Sequence, residues 1–228
     1  MSLKKFSDKH SFPVRLFHWL NFLVLIIMVY SGLMIYWAND VYKIRLGGKE
    51  IFNFFPDEVY KTLNLPYRLA EGMSWHFTFM WLFFLNGLLY VLYVTFSGDW
   101  RTLLPGKKSF RNAWLVLLHD LRIRKGKPDQ GKYNGAQRIA YSAIVLMGAG
   151  LLLSGLVIYK PDQFSGLTTF LGGYESARFI HFVLTIGFVI FFVIHVVQVI
   201  MAGWNNFRAM VTGWEITESK EDKNESNE

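Results

Sequence analysis

The stretch 179–204, FIHFVLTIGFVIFFVIHVVQVIMAGW, decides the fold, because it is apolar throughout except for two histidines and a few neutral polar residues. A helix of about 20 apolar residues crosses the hydrocarbon core of a bilayer. His181 and His195 are fourteen residues apart, close to four turns of about 3.6 residues, so they share one helix face about 21 Å apart along the axis. Because ionisable side chains at membrane depth are costly and mark function, we predict one functional histidine near each leaflet.

Three other stretches have the same character. The chain has 228 residues, of which 52% are hydrophobic, and spans are predicted at about 14–37, 74–96, 136–159 and 179–204. Lipid offers the backbone no hydrogen-bond partners, so continuous spans of this length must be helices. We predict an all-α membrane protein, a four-transmembrane-helix bundle in which residues 1–214 form one domain, and we expect no internal repeat.

The basic residues are divided unevenly between the loops. The loop between the second and third spans carries nine basic residues against three acids, whereas the loop 38–73 carries five of each. Positive residues accumulate on the cytoplasmic side. The sequence therefore predicts that both termini and the middle loop lie inside and that the long loop 38–73 is periplasmic. If the middle-loop charges only kept that loop solvated, the balanced charge of the outer loops would be unexplained.

Shorter patterns predict the structure of the loops. A cytoplasmic amphipathic helix on the inner leaflet is predicted from apolar residues at helical spacing, namely Phe110, Ala113, Trp114, Leu117, Leu118 and Leu121. In the outer loop, we expect a short helix that starts at Pro56 and ends before Pro66. Residues 215–228 are polar and mostly acidic, and we expect this tail to be disordered.

Two further histidines, His18 and His76, lie in apolar stretches. With the termini inside, His18 lies near the inner leaflet and shares its depth with His195. His76 lies near the outer leaflet and shares its depth with His181. Two pairs at matched depths predict two bis-histidine haems stacked across the bilayer. Haem iron held by two imidazoles has no open position, which suits electron transfer.

Other interpretations of these histidines are weaker. A single histidine near a helix end is as easily a structural or interfacial residue, but four in matched pairs are not. The chain contains no cysteine, which excludes thiolate-held iron–sulfur clusters and covalently attached c-type haem. A metal transporter would need ligands clustered at one depth, usually with carboxylates, and the spans have none in their apolar centres. A di-iron oxygenase would need closely spaced histidines near one face.

Glycines and arginines near the histidines are candidates for haem contacts. Gly32 follows His18 by fourteen residues and Gly87 follows His76 by eleven, so each lies nearly in phase with its histidine. A glycine lets a flat ligand approach the backbone, although small-residue helix packing is the alternative. Arginines at span ends suit haem propionates or act as snorkelling anchors, and three are candidates: Arg15, Arg138 and Arg178.

Three stretches of the chain resemble the bacterial di-haem cytochrome b family. That family includes the gamma subunit of formate dehydrogenase and the cytochrome b subunits of nickel-iron hydrogenase and thiosulfate reductase. Residues 13–19, PVRLFHW, resemble its opening, residues 132–138, KYNGAQR, the lead into its third helix, and residues 209–213, AMVTG, the exit from its fourth. The resemblance covers about residues 10–214.

The resemblance implies two haem b groups in the bacterial inner membrane, the inner one on His18 and His195 and the outer one on His76 and His181. It also implies electron exchange with a quinone near the inner haem and with a periplasmic redox protein near the outer haem, such as a molybdenum-dependent oxidoreductase or a hydrogenase. Membrane lipid is a further partner, and nucleic acid is not. Candidates for a quinone site, by position, are Asn21, Trp204, Asn205, Arg208 and His10, although Trp and Arg are also common interfacial anchors.

A stand-alone enzyme is the competing function. A small di-haem cytochrome b can oxidise superoxide at the outer face and reduce quinone without a partner. The long loop 38–73 favours a docked partner, because long exposed loops often carry partner contacts.

Overall fold

The structure is a computed structural model that describes residues 4–39, 42–120, 122–126 and 133–218. By its internal contacts the chain divides into two units. The larger runs up to Phe17 and resumes at Gly87, and the smaller is His18–Asn86. The elements in chain order are β1 Lys4–Asp8, α1 Phe12–Tyr36, β2 Lys43–Leu46, β3 Lys49–Asn53, α2 Asp57–Thr62, α3 Leu69–Ser97, α4 Trp100–Leu103, α5 Lys107–Asp120, α6 Gly135–Tyr159, α7 Ser165–Phe170, α8 Tyr174–Ala202, α9 Trp204–Thr212 and β4 Trp214–Glu218.

Four of these helices, α1, α3, α6 and α8, are long and apolar enough to cross a membrane. They agree with the four predicted spans, and each differs from its prediction by up to five residues at an end. The extensions are largest at the starts of α3 and α8, where polar residues such as Glu71 and Glu175 continue the helix. Hydropathy does not detect such ends, because they extend beyond the apolar stretch.

The two ends of the described chain pair with each other, which the sequence did not predict. β1 and β4 are antiparallel, with Lys4 opposite Glu218 and Asp8 opposite Trp214. The expected disorder of residues 215–228 is therefore wrong for 215–218, which form a strand, and residues 219–228 lie outside the described residues. Composition alone does not predict short polar strands, because their hydrogen bonds come from the backbone of a segment that is distant in sequence. Since such a pair cannot form across a bilayer, both ends lie on the same side.

The loop between α1 and α3 contains a β-hairpin and a helix. β2 and β3 pair around Gly47 and Gly48, two glycines whose positive φ suits a tight turn. α2 follows Pro56, as expected for the short helix in this loop. Tyr60 of α2 is 3% exposed, packs with Met34, and donates its hydroxyl to the Leu33 carbonyl at 3.2 Å. The loop is thus fastened to the end of α1.

A glycine sets the junction between α5 and α6. Asn134 caps α6 in a capping box with Gln137. The amide of Gly135 donates to the Asn112 side chain at 2.8 Å, and a Cβ on Gly135 would lie 2.9 Å from the Ala113 nitrogen. The backbones of the two helices therefore meet where α6 begins, which only glycine permits.

The helices form two copies of one pattern, so the expectation of no repeat is wrong. α1 ends in SGLMIY at 31–36, and α6 ends in SGLVIY at 154–159. Both helices have 25 residues, and both α3 and α8 have 29. The buried phenylalanines Phe83 and Phe188 occupy the fifteenth position of α3 and α8. We call α1 with α3 repeat 1, and α6 with α8 repeat 2.

Candidate functional site

In the smaller unit, His76 of α3 lies against the end of α1. Its Nδ1 atom is 3.0 Å from the hydroxyl oxygen of Ser31. A Cβ on the next residue, Gly32, would be 3.6 Å from the Cε1 atom of the ring. The imidazole therefore lies close to the backbone of α1, at a position where a side chain larger than alanine would crowd it.

In the larger unit, His181 of α8 has the same environment at the end of α6. Its Nδ1 atom is 3.1 Å from the hydroxyl oxygen of Ser154, and a Cβ on Gly155 would be 3.4 Å from its Cε1 atom. His76 and His181 are each the eighth residue of their helix. The two predicted outer ligands thus sit in equivalent places of the two repeats.

These surroundings fit a haem ligand. A histidine that binds a metal through one ring nitrogen almost always hydrogen-bonds through the other, which fixes the ring. Serine engages Nδ1 in both cases, which leaves Nε2 as the atom for iron. The glycines leave room beside each ring. The residues present therefore suit two imidazole ligands that face a flat group.

The two predicted inner ligands have aromatic neighbours instead. The ring of His18 in α1 makes an edge-to-face contact with Trp19, with centroids 5.2 Å apart. The ring of His195 in α8 is parallel to that of Phe191 at 6.0 Å. Both histidines are half-buried. Each of these histidines corresponds to a tyrosine in the other repeat. Tyr141 of α6 is equivalent to His18 of α1, and Tyr90 of α3 is equivalent to His195 of α8.

The glycine predictions have different outcomes. Gly32 lies beside the imidazole of His76, a predicted outer ligand, since a Cβ on it would come within 3.6 Å of the ring. The sequence argument chose this glycine for its phase with His18. A Cβ on Gly87 would meet nothing within 4 Å. That space is compatible with a haem face or with lipid, so the contact predicted for Gly87 stays a prediction.

Two of the predicted propionate-binding arginines occupy equivalent positions in the repeats. Arg15 and Arg138 are the fourth residues of α1 and α6. Arg15 donates to the carbonyl of Val211 at 2.7 Å, and Arg138 donates to the carbonyl of Arg101 at 2.9 Å. Each arginine keeps a buried Nε atom without a hydrogen bond. Both guanidinium groups hold a helix start in place and retain donor capacity.

Arg178, the third candidate arginine, makes contacts within its own helix. Arg178 forms an ion pair with Glu175 of the same helix at 3.1 Å, and its guanidinium lies 5.9 Å from the ring centre of Tyr174. The neighbouring carboxylate offsets its charge, which reduces its suitability for a propionate.

Of the quinone candidates, Asn21 belongs to the smaller unit and the other four belong to the larger unit. Asn21 accepts a hydrogen bond of 3.5 Å from Asn86 in the smaller unit. Asn205 exchanges two hydrogen bonds with the backbone of Ile216 and so ties α9 to β4. Asn205 also accepts a hydrogen bond from Arg208 of the same helix. The Trp204 side chain packs near Phe207 and is exposed.

His10 differs from the other quinone candidates because it lines a cavity. The cavity has a volume of about 380 Å³ and lies in the larger unit where β1, the start of α1 and the end of α9 meet. Arg15 and Gly213 also line it. The cavity is open and carries both signs of charge, since Asp8 and Lys9 belong to its wall.

Ser31 and Ser154 were missed as site residues by the sequence argument. A serine near a helix end has many ordinary roles, and its partner lies on another helix. The signal that finds them is the repeated SGL-x-IY, because it places the same Ser–Gly pair at the same position of two helices.

Comparisons with known proteins identify the family of the chain. Residues 9–213 match the model of the prokaryotic cytochrome b561 family. A relative from Azospira oryzae, named "Putative protein-methionine-sulfoxide reductase subunit YedZ1", is 36% identical over 187 residues, which cover 82% of this chain and 87% of the relative. Together with the four apolar helices, these matches identify a multi-pass protein of the bacterial inner membrane. The chain belongs to the prokaryotic cytochrome b561 family, whose members are membrane electron-transfer proteins with haem b.

Proposed function

We propose that the chain carries electrons across the membrane through two haems b, between a quinone on the cytoplasmic side and a periplasmic redox subunit. His76 and His181 ligate the outer haem, and His18 and His195 ligate the inner haem. The observation that carries the proposal is the shared environment of His76 and His181, each fixed by a Ser–Gly pair at the same position of equivalent helices.

The helix registers support this pairing. His76 and His181 are each seven residues, or about 10 Å, from the start of a helix that runs inward. His18 is six residues after the start of α1, and His195 is seven residues before the end of α8, which are again about 9–10 Å from the opposite ends. These registers support the proposal that each pair lies at one depth.

When bound, a bis-histidine haem supplies a reversible one-electron carrier with no open coordination position. The protein supplies the rest. Four imidazoles hold two such groups at different depths, the apolar spans exclude water from the path between them, and Arg15 and Arg138 place positive charge near helix ends of the inner side. Charge and hydrogen bonding around the ligands set the potentials.

The partner is proposed from two observations. The relative in Azospira oryzae is named as a subunit of a protein-methionine-sulfoxide reductase, which supports a role as the membrane subunit of a larger redox enzyme. The loop between α1 and α3 is built into a hairpin and a helix fastened to α1, so it offers a folded docking surface on the periplasmic side. This favours a subunit over the stand-alone superoxide:quinone oxidoreductase.

The first experiment measures haem per polypeptide in detergent, with oxidised and reduced spectra and a redox titration. The parent is expected to hold two b-type haems. His76→Ala and His181→Ala are expected to lose the same haem, and His18→Ala and His195→Ala the other. A folded parent without haem would contradict the proposal. His119→Ala, which changes a histidine outside the spans, is the matched control and is expected to keep both haems.

A further inference from the structure

We infer that Ser31 and Ser154 are positioning residues that fix the protonation and orientation of both ligands of the outer haem. The inference rests on the proposed function, since it concerns His76 and His181 as haem ligands. It adds that the same serine–histidine hydrogen bond, present once in each repeat, lowers the midpoint potential of the outer haem and not that of the inner haem.

The first step is a count of protons. A serine hydroxyl has one hydrogen. The Ser31 hydroxyl lies 2.7 Å from the carbonyl of Ile27, and the Ser154 hydroxyl lies 2.7 Å from the carbonyl of Gly150. A carbonyl can only accept, so each hydroxyl donates its hydrogen back to its own helix. The serine oxygen is then free only to accept.

The second step follows at the imidazole. Because each serine oxygen accepts, the Nδ1 atom facing it at 3.0 or 3.1 Å must carry the hydrogen. In a neutral imidazole the other nitrogen, Nε2, then has the lone pair, which is the form that binds iron.

The third step concerns strength. Ser31 is 1% exposed and Ser154 is 0% exposed, so no water competes for these hydrogen bonds. A chain that runs from Nδ1–H to hydroxyl to carbonyl polarises along its length in a medium of low dielectric. An acceptor at Nδ1 raises the basicity of the ligand. More basic imidazoles favour the oxidised iron, so the serines lower the potential of the haem they serve.

The fourth step is the repeat itself. Ser31 and Ser154 are each the twentieth residue of a 25-residue helix, and their hydroxyl distances agree within 0.1 Å. The inner ligands are not equivalent in this way, because each has a tyrosine in the corresponding place of the other repeat. The effect is therefore confined to the outer haem and applies to both of its ligands.

The test is a redox titration of the parent and of Ser31→Ala and Ser154→Ala, with the two haems resolved by their spectra and by electron paramagnetic resonance. Each variant is expected to raise the midpoint potential of the same haem and to leave the other unchanged. Ser31→Thr and Ser154→Thr keep a hydroxyl at the position and are expected to stay near the parent. Loss of one haem from an Ala variant, with retention in the Thr variant, also supports the inference.

Ser142→Ala is the matched control. Ser142 is on α6, as Ser154 is, and its buried hydroxyl has no hydrogen-bond partner, so neither potential is expected to move. Unchanged potentials in both Ala variants, or equal shifts of both haems, would overturn the inference while two bound haems leave the proposed function intact. If Ser31→Ala shifts one haem and Ser154→Ala the other, the serines act as inferred but the proposed ligand pairing is wrong. A folded parent without haem removes the proposed function itself.

Discussion

Met34 leaves no room for a side chain at Gly72. A Cβ on Gly72 would lie 2.8 Å from the Cβ of Met34 and 3.2 Å from its backbone carbon, so α1 and α3 approach as closely as glycine allows. In repeat 2 the corresponding residues are Val157 and Ala177, both fully buried. At these two positions, repeat 2 therefore has a residue smaller than methionine on α6 and a residue larger than glycine on α8.

We predict that Gly72→Ala destabilises the protein by about 1–3 kcal/mol, the usual cost of overpacking. Adding Met34→Val to Gly72→Ala reproduces the pair found in repeat 2 and is expected to recover at least half of the loss. Thermal unfolding in detergent, arranged as a double-mutant cycle, measures the coupling. Gly166→Ala in α7, where a Cβ meets nothing within 4 Å, is the control and is expected to be neutral or slightly stabilising. Additive effects of the two changes would contradict this interpretation.

The glycines beside the ligands set a size limit. A Cβ at Gly32 or Gly155 would be 3.6 or 3.4 Å from a histidine ring, which is ordinary contact, so Gly32→Ala and Gly155→Ala are expected to keep both haems. Leucine at either position would displace the imidazole, and we expect the outer haem to be lost from both Leu variants. The haem content per polypeptide and the reduced spectra show which variants keep the outer haem. Gly87→Leu tests the predicted haem contact there, since two unperturbed haems in it would reject that contact.

The junction of α5 with α6 depends on Gly135. A Cβ there would lie 2.9 Å from the Ala113 nitrogen, which is backbone and cannot move aside. Gly135→Ala is expected to cost more than 2 kcal/mol, at the upper end of overpacking, and Asn112→Ala about 1 kcal/mol through its hydrogen bond. Thermal unfolding and the rate of proteolysis in the middle loop both measure this loss of stability. Gly106→Ala, where a Cβ would meet nothing within 4 Å, should be as stable as the parent. If Gly106→Ala lost as much stability as Gly135→Ala, the close contact between α5 and α6 would be disproved.

A pair of glycines separates backbone strain from side-chain contact. Gly203 has φ +81° with ψ +173°, a region almost exclusive to glycine, whereas Gly213 has φ +95° with ψ −16°, near the left-handed helical region. A Cβ at Gly213 would also lie 3.2 Å from the Arg15 guanidinium carbon, whereas one at Gly203 meets nothing within 4 Å. Gly203→Ala is therefore expected to lose about 1–3 kcal/mol through backbone strain alone, and its loss should not depend on Arg15. Gly213→Ala is expected to lose less when Arg15→Ala is already present, which thermal unfolding of the double-mutant cycle measures. Additive losses of Gly213→Ala and Arg15→Ala would mean that the guanidinium moves aside without cost.

The orientation in the membrane can be measured directly, because the chain has no cysteine and single cysteines label without background. Ser165→Cys and Lys125→Cys place a thiol on exposed residues of two different loops. A maleimide that cannot cross the inner membrane is expected to label Ser165→Cys from the periplasmic side. Lys125→Cys should react only after the membrane is permeabilised. The reverse pattern would invert the proposed topology and exchange the inner and outer haems.

The sequence predicts those features that depend on one segment alone. The four spans follow from apolar length, and the spacing of His181 and His195 follows from helix geometry. It does not predict what depends on a second segment. The Ser31–His76 contact needs two helices in register, and β4 needs the backbone of β1. The repeat was hidden because lipid accepts any apolar side chain, so the two copies keep the same residues mainly where they touch a histidine or a neighbouring helix.

The pairing of β1 with β4 places Lys4 directly beside Glu218, so the two ends of the described chain are neighbours. A short polar linker between residues 218 and 4 would join strands that already lie side by side, and new ends could then be opened in the exposed turn at Gly172, between α7 and α8. Such a circular permutant would begin with α8 and end with α6 and α7. It would order the helices differently along the chain while keeping each one in its direction through the membrane.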